Sequence, residues 1–527
     1  MGEHFNAGWY LTDRQVELGN GDRIAVIGPH GSSTYTELAA AVRTAAAGLR
    51  AAGLHPEERI ALYSADRVEL LICFLAALRI GAVPVPISTM YNERELSELL
   101  TDSCARMLLC SPEFAPTAEA ALAVVDLYPR LSAVISTDKQ GLQSTTANLT
   151  WGELVEMGQG GDESLADTWP ESPAFWLYTS GTTGTPKAAM HRHGSVRFVA
   201  EHYGTQVLGI RPDDRVFSVA KLFFAYGLGN SALFPLSVGA TTILAPARPT
   251  PDSVYEVLTE HRPTLFFGVP TFYAALLGAD LPPEAFASVR LAASAGEPLP
   301  AELYQRFTTR FGVDIIDGLG STEALHIFLS NRPGEVRPGT TGQAVPGYEI
   351  RLVDDADAPV PQGTPGHLHV RGGSLTTGYW CRTESTRAAF TGDWMRTGDT
   401  YVADADGYYT CLGRSNDMIK AGGIWVSPSE VEVCILRQPG VAQVAVVAVP
   451  DGDGLDKPVA CVVPTAGTVL DPDLLIAACR EALAAFKRPR HILIVESLPL
   501  TATGKIRRFE VRAAAARTLA GDRFEGA

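Results

Sequence analysis

Thr179, Ser180, Thr182 and Thr183 place hydroxyls around Gly181 and Gly184 in the stretch LYTSGTTGTPKAAMH, residues 177–191, and Lys187 closes it with a cation. Glycines let successive backbone N–H groups turn toward one point, hydroxyls add donors and a lysine adds charge, so this set could cradle a triphosphate. The spacing is not that of the G-x-x-x-x-G-K-[ST] phosphate loop. The same composition also describes a flexible Ser/Thr/Gly connector. The strand-like AFWLY just before it speaks for a cradle, because ligands in open α/β sheets sit beyond the carboxyl ends of strands.

Two more polar, glycine-rich segments follow apolar runs in the same way: 294–300 (SAGEPLP) and 317–323 (DGLGSTE). The elements that must position them are read from apolar runs that end in Gly, Pro, Ser or Asp: RIALYSAD (59–66), AFWLYTS (174–180), TTILAP (241–246), TLFFGVP (264–270) and RLAASAGEPLP (290–300). Buried strands feeding loops and alternating with helical signals predict an α/β fold. From about residue 340 the texture changes to short strands and turns, which predict a small antiparallel, barrel-like unit. After 415, SEVEVCILRQPG, VAQVAVVAVP, KPVACVVP, DLLIAACREALAAF and HILIVESLPL read as helix, strand, strand, helix, strand. The predicted organisation is a large N-terminal domain, 1–415, made of α/β subdomains plus the small β-barrel, and a mobile α+β domain, 416–527.

Composition limits what such loops can serve. The 527 residues are 46% hydrophobic and 19% charged, the balance of a soluble globular chain. A net charge of -16 disfavours a general nucleic-acid or anionic-membrane partner, so an anionic substrate must be held by local groups. The eight cysteines include no C-x-x-C pair, which suggests neither zinc nor a disulfide framework and fits a reducing cytoplasm. The start lacks the pattern of a secretory signal, and the run LLICFLAAL (70–78), stopped by Arg79, predicts a buried helix too short to span a bilayer.

Taken together, T-S-G-T-T-G-T-P-K at 179–187, G-S-T-E at 320–323, T-G-D at 397–399, G-R-S-N opening the linker 413–420, and T-G-K at 503–505 occur in the order used by one superfamily. The chain resembles the adenylate-forming enzymes, the group of acyl-CoA synthetases, carrier-protein adenylation domains and firefly luciferase, along nearly its whole length. The resemblance implies that Thr179, Ser180, Gly181, Thr182, Thr183, Gly184 and Lys187 hold the β- and γ-phosphates of ATP. Thr322 and Glu323 would face the α-phosphate and Mg²⁺, a hard ion that seeks carboxylate oxygen. Asp399 and Arg414 match the ribose-binding positions. Gly296, Glu297 and Pro298 with Asp317, Gly318, Leu319 and Gly320 resemble the adenine walls. Lys505 matches the lysine that reaches the α-phosphate and the substrate carboxylate. The C-terminal domain would swing about Asn416, where Asp is more frequent; both residues tolerate the backbone angles of turns. Gly422 and Gly423 would face the thiol tunnel.

Two stretches, KLFFAYGLGN (221–230) and DGLGSTEALHIFLSN (317–331), resemble the benzoate-CoA and hydroxybenzoate-CoA ligases most. By that resemblance Ala225, Tyr226, Gly227, Ala295, Gly320, His326 and Ile327 line a flat aromatic slot, with Lys420 near the carboxylate. Small residues opposite an aromatic and an aliphatic wall suit a planar ring. His326 also reads as an ordinary core histidine, Glu323 and Asp399 as surface acids, and Lys505 as part of the exposed basic run GKIRR. The expected activity is ATP- and Mg²⁺-dependent aryl acid:CoA ligation. The alternatives are loading of an acyl carrier protein's phosphopantetheine, a non-catalytic nucleotide-binding scaffold, and a luciferase-like oxygenase.

Overall fold

The computed structural model describes residues 3–124, 131–137, 148–179, 186–414, 417, 419–421, 424–450, 456–483, 485–500 and 506–519. The chain divides into two compact units, Met1–Ile350 with Val370–Met395, and Arg351–His369 with Arg396–Ala527. The boundary expected between 415 and 416 lies outside the described residues.

In the first unit a nine-stranded sheet carries three of the five predicted strands, Thr241–Ile243, Leu265–Gly268 and Leu291–Ala295. Arg59–Tyr63 lies in a second sheet, and Pro173–Thr179, expected to feed its loop from the parallel sheet, lies in a separate two-stranded antiparallel one. Arg215–Ser218, Leu265–Gly268, Leu291–Ala295 and Ile315–Gly320 run parallel side by side, with Phe267 level with Ala293 and Ala293 level with Ile316. Helices cover such a sheet on its faces, which is why its strands read as unbroken apolar runs rather than alternating ones. One side is sealed by Phe266, Phe286, Phe307 and Tyr273, whose rings meet edge to face at centroid separations of 4.9 to 5.8 Å. Each fully buried ring contributes on the order of 1.5–3 kcal/mol.

A second sheet of five parallel strands has the order Val83–Pro86, Arg59–Tyr63, Met107–Cys110, Ala133–Ser136, Asn148–Thr150. The predicted helix is Val68–Arg79. Arg79 ends it from within the fold: it is buried, and its Nη1 meets Asp13 Oδ2 at 2.6 Å while its Nε and Nη2 donate to the Glu163 carbonyl. Burial pushes its pKa down, and the Asp13 carboxylate opposes that shift and offsets the cost of burying the charge. No helix among the described residues is long and apolar enough to cross a membrane. Pro173–Thr179 pairs antiparallel with Lys187–Arg192, Thr179 opposite Lys187.

In the second unit, the later part of strand Trp394–Ala403 pairs antiparallel with Tyr409–Arg414, one pair of the short strands expected there. Beyond them, Val441–Pro450 and Asp456–Pro464 pair antiparallel and His491–Ile494 joins parallel. VAQVAVVAVP is apolar at both parities because both faces are covered. Val444, Val446 and Ala448 pack toward the helices Pro428–Leu436 and Pro472–Ala482, while Ala445, Val447 and Val449 pack toward Arg508–Leu519. That last helix had no counterpart in the sequence reading. Its Arg508 holds Glu432 with two guanidinium nitrogens.

Candidate active site

In the parallel strands Leu291–Ala295 and Ile315–Gly320, Ser294 lies beside Asp317 and Ala295 beside Gly318, and the second strand runs on to Gly320. The segments 294–300 and 317–323 therefore leave one edge of the sheet, as the strand-end rule for α/β sheets requires. Gly296 has φ +93°, a backbone angle open to glycine at little cost, and it turns the first segment away from its strand. The second segment makes a tight turn in which Leu325 N donates to Thr322 O at 3.1 Å and Leu325 itself adopts φ +67°. The chain then reverses into Ile327–Ser330, with Gly320 opposite Ile327.

Thr322 and Glu323 are held on that turn from two sides. His191 Nε2 donates to Thr322 O at 2.8 Å, with its ring stacked on Phe175 at 5.2 Å. Burial pushes the His191 pKa down to about 4, so the imidazole is neutral at physiological pH. Thr376 N donates to Glu323 O at 2.7 Å, and the Tyr379 hydroxyl donates to Glu323 Oε1 at 2.7 Å. Burial first, then the neighbouring Glu323 charge, pushes the Tyr379 pKa up, so this phenol keeps its proton. Lys187 Nζ lies 5.5 Å from the Tyr379 ring centroid, within cation–π range. Lys187, Thr322 and Glu323, matched by motif order alone, are thus joined by Tyr379 and His191, which no motif singled out. The only signals for the latter two were a Gly-Tyr pair after two threonines and a histidine in the strand begun by Lys187.

Of the residues expected at an aromatic slot, Tyr226 and His326 meet in the first unit. Tyr226, in the short helix Ala225–Leu228, donates its hydroxyl to Ala293 O at 3.1 Å. His326 is 2% exposed and lies among Tyr203, Tyr226 and Phe234, with ring centroids at 5.1, 5.5 and 4.6 Å. Its Nε2 is 3.2 Å from Asn230 Oδ1 and 3.4 Å from Tyr226 O, and its Nδ1 has no hydrogen-bond partner among the described residues. Burial pushes its pKa down to about 3. A Cβ on Gly320 would stand 2.6 Å from His326 O, and one on Gly227 would stand 2.1 Å from Lys221 O. These glycines are demanded by packing. Asn230 was not foreseen, since an asparagine in an apolar helix carries no motif.

Asp317 is buried, and burial pushes its pKa well above the carboxylate range. Its Oδ1 has no hydrogen-bond partner among the described residues. In the second unit Asp399 and Arg414 are cross-strand neighbours, with Arg414 Nε 3.1 Å from Asp399 Oδ1. Lys420 is in the strand Ile419–Ala421, opposite Trp425. Ser180, Gly181, Thr182, Thr183, Gly184, Asn416, Gly422, Gly423 and Lys505 lie outside the described residues. Among those described there is no cluster of three or more His, Cys, Asp or Glu able to cage a metal.

Comparison with known proteins shows the family. The AMP-binding enzyme family matches residues 13–380 and the AMP-binding enzyme C-terminal domain matches 430–505, so the chain belongs to the AMP-binding enzyme family. It is 44% identical to a benzoate–CoA ligase of Thauera aromatica, over 97% of this chain and 96% of that protein. It is 43% identical to a 4-hydroxybenzoate–CoA/benzoate–CoA ligase of Rhodopseudomonas palustris, over 96% and 94%. Among solved structures, a benzoate CoA ligase from Burkholderia xenovorans superposes with a TM-score of 0.87 at 43% identity, covering 96% of this chain and all of that one. An anthranilate CoA ligase in complex with anthranoyl-AMP superposes with a TM-score of 0.90 at 36% identity, covering 99% of each chain.

Proposed function

We propose that the protein is an aryl acid:CoA ligase that activates a benzoate-type acid with ATP and transfers the aroyl group to CoA. One observation carries this reading: the single turn 320–327 joins Glu323 to His326 and Ile327, so a ring lodged near His326 would carry its carboxylate toward the Glu323 end. The benzoate and hydroxybenzoate specificities in the names of full-length relatives support the same substrate class.

In the first half-reaction the acid's carboxylate oxygen bonds to the α-phosphorus of ATP, the bond to the β-phosphate oxygen breaks, and pyrophosphate leaves. Anion meets anion, so the protein must neutralise charge and hold the in-line geometry. In this reading the loop 179–187 holds the leaving phosphates, Asp317 and Gly296 flank the base, Asp399 and Arg414 bind the ribose, and Lys505 reaches the α-phosphate. The orphaned Oδ1 of the buried Asp317 leaves room for a hydrogen bond with a nucleobase. Mg²⁺ fits Glu323, because this ion is commonly held by one or two carboxylates together with substrate phosphates, and no larger cage is needed. When bound it would offset charge on the phosphates. In the second half-reaction the CoA thiolate attacks the aroyl carbon and AMP leaves; the domain 416–527 swings about Asn416 to bring Gly422 and Gly423 to the thiol. The use of ATP and CoA supports a cytoplasmic setting.

The test is acid-dependent pyrophosphate exchange across benzoates and fatty acids, followed by CoA-dependent AMP release. Benzoates should lead the panel, and Lys505→Ala should abolish exchange. Fatty acids outperforming every benzoate, or transfer to a carrier protein with none to CoA, would overturn the reading.

A further inference from the structure

Tyr379 has no part in the mechanism above, yet it touches two of that mechanism's residues. Among the described residues its hydroxyl is the sole hydrogen-bond partner of the Glu323 carboxylate, and its ring faces Lys187. The backbone allows it little freedom. Thr377 N donates to Met190 O, Met190 N to Gly378 O, and Trp380 N to Ala188 O, so the segment lies along the strand that Lys187 begins. Gly378 has φ +135°, and a Cβ there would stand 2.8 Å from Thr386 Cγ2. On the other side Thr376 N holds the Glu323 carbonyl.

A phenol has one proton and a carboxylate two oxygens, so the bond claims Oε1 and leaves the second oxygen to other partners. A half-buried tyrosine that needed only a hydrogen bond could have taken a backbone carbonyl, as Tyr226 and Tyr273 do with Ala293. Tyr379 takes the charged side chain instead. We propose that Tyr379 is a positioning residue, which fixes the Glu323 carboxylate in one orientation for the Mg²⁺ that accompanies ATP and locks that orientation to Lys187. The proposal rests on the reading of Glu323 given under the proposed function. Partners in the second layer around a metal ligand typically account for about 10–100-fold in metal affinity or activity.

Tyr379→Phe keeps the ring beneath Lys187 and removes only the hydroxyl. The probe is Mn²⁺, followed by electron paramagnetic resonance as it binds the full-length protein saturated with a non-hydrolysable ATP analogue. We expect Tyr379→Phe to weaken Mn²⁺ about tenfold or more, to need correspondingly more Mg²⁺ for pyrophosphate exchange, and to keep the wild-type melting temperature and KM for the aryl acid. Wild-type Mn²⁺ affinity in Tyr379→Phe beside a weakened Glu323→Gln would overturn the positioning role and leave the reading of Glu323 standing. Unchanged affinity in both variants would overturn both. A lowered melting temperature with every ligand weakened alike would make Tyr379 a packing residue and overturn the proposal.

Discussion

Asn230 Oδ1 accepts from His326 Nε2 at 3.2 Å, and the two side chains are 0% and 2% exposed. An amide oxygen only accepts, so the imidazole proton is on Nε2 and Nδ1 keeps its lone pair. With its pKa pushed down to about 3 by burial, His326 offers the slot a neutral acceptor and no positive charge. Replacing Asn230 with leucine keeps the branched skeleton of the side chain and leaves Nε2–H with only the 3.4 Å contact to Tyr226 O. We expect a loss of about 1–3 kcal/mol in urea unfolding. Steady-state kinetics should show a raised KM for the aryl acid at unchanged KM for ATP. A parallel rise in both would make Asn230 general packing.

Gly320 and Gly296 should respond to alanine for different reasons. At Gly320 the new Cβ would meet the His326 carbonyl at 2.6 Å, so overpacking costs about 1–3 kcal/mol and shifts the histidine. At Gly296 the nearest atom is 3.9 Å away and the cost is in the backbone angle, about 1–2 kcal/mol. Gly320→Ala should therefore lower kcat/KM for the aryl acid, whereas Gly296→Ala, beside the proposed adenine wall, should raise the KM for ATP. Melting curves and kinetics on both variants check the split.

The contrast between these positions and Tyr379 shows what was legible in the sequence. RLAASAG and TLFFGVP announced parallel strands because burial on both faces removes polar alternation, and the loops after them were marked by glycine and acidic residues whose order was itself informative. Tyr379 and Asn230 were not legible. Each acts through a contact between segments distant in sequence, 56 residues separating Tyr379 from Glu323 and 96 separating Asn230 from His326. The helix Arg508–Leu519 escaped for another reason: its alanines and arginines form no strong apolar stripe, and tertiary contact with the sheet through Val511 and Ala515 stabilises it.

Asp399 and Arg414 face each other across two strands, Nε to Oδ1 at 3.1 Å, with Arg414 Nη1 also donating to Thr397 O at 3.0 Å. The arginine is half exposed, and ion pairs of that kind stabilise a fold by about 0–1 kcal/mol. Asp399→Asn should leave the melting temperature nearly unchanged. If the carboxylate binds ribose, losing its charge-assisted hydrogen bonds costs about 1.5–3 kcal/mol, roughly a tenfold or greater rise in the KM for ATP, with the aryl acid unaffected. A lowered melting temperature with the KM for ATP intact would assign the pair to structure.

Acidification should destabilise the first unit through its buried histidines. Burial pushes His191 and His193 down to about 4 and His326 to about 3, whereas an unfolded histidine titrates near about 6.5. Between those values the unfolded chain binds protons that the folded one refuses, so each histidine removes about 1.4 kcal/mol of stability per pH unit as pH falls. Asp66 acts with the opposite sign: burial raises it to about 6 from an unfolded value near about 3.9, so the folded state is the one that gains its proton on acidification. Asp317, raised by the same cause, adds to that opposition. The three histidines outnumber the two carboxyls, and stability should fall from neutral pH toward about pH 4. His193→Gln should flatten this fall, because the wild-type Nδ1 accepts from Ala7 N at 3.0 Å and resists protonation. Asp66→Asn should steepen it by removing an opposing group. Urea unfolding across that range measures both slopes, and a His193→Gln slope equal to wild type would show that His193 is not among the groups that set it.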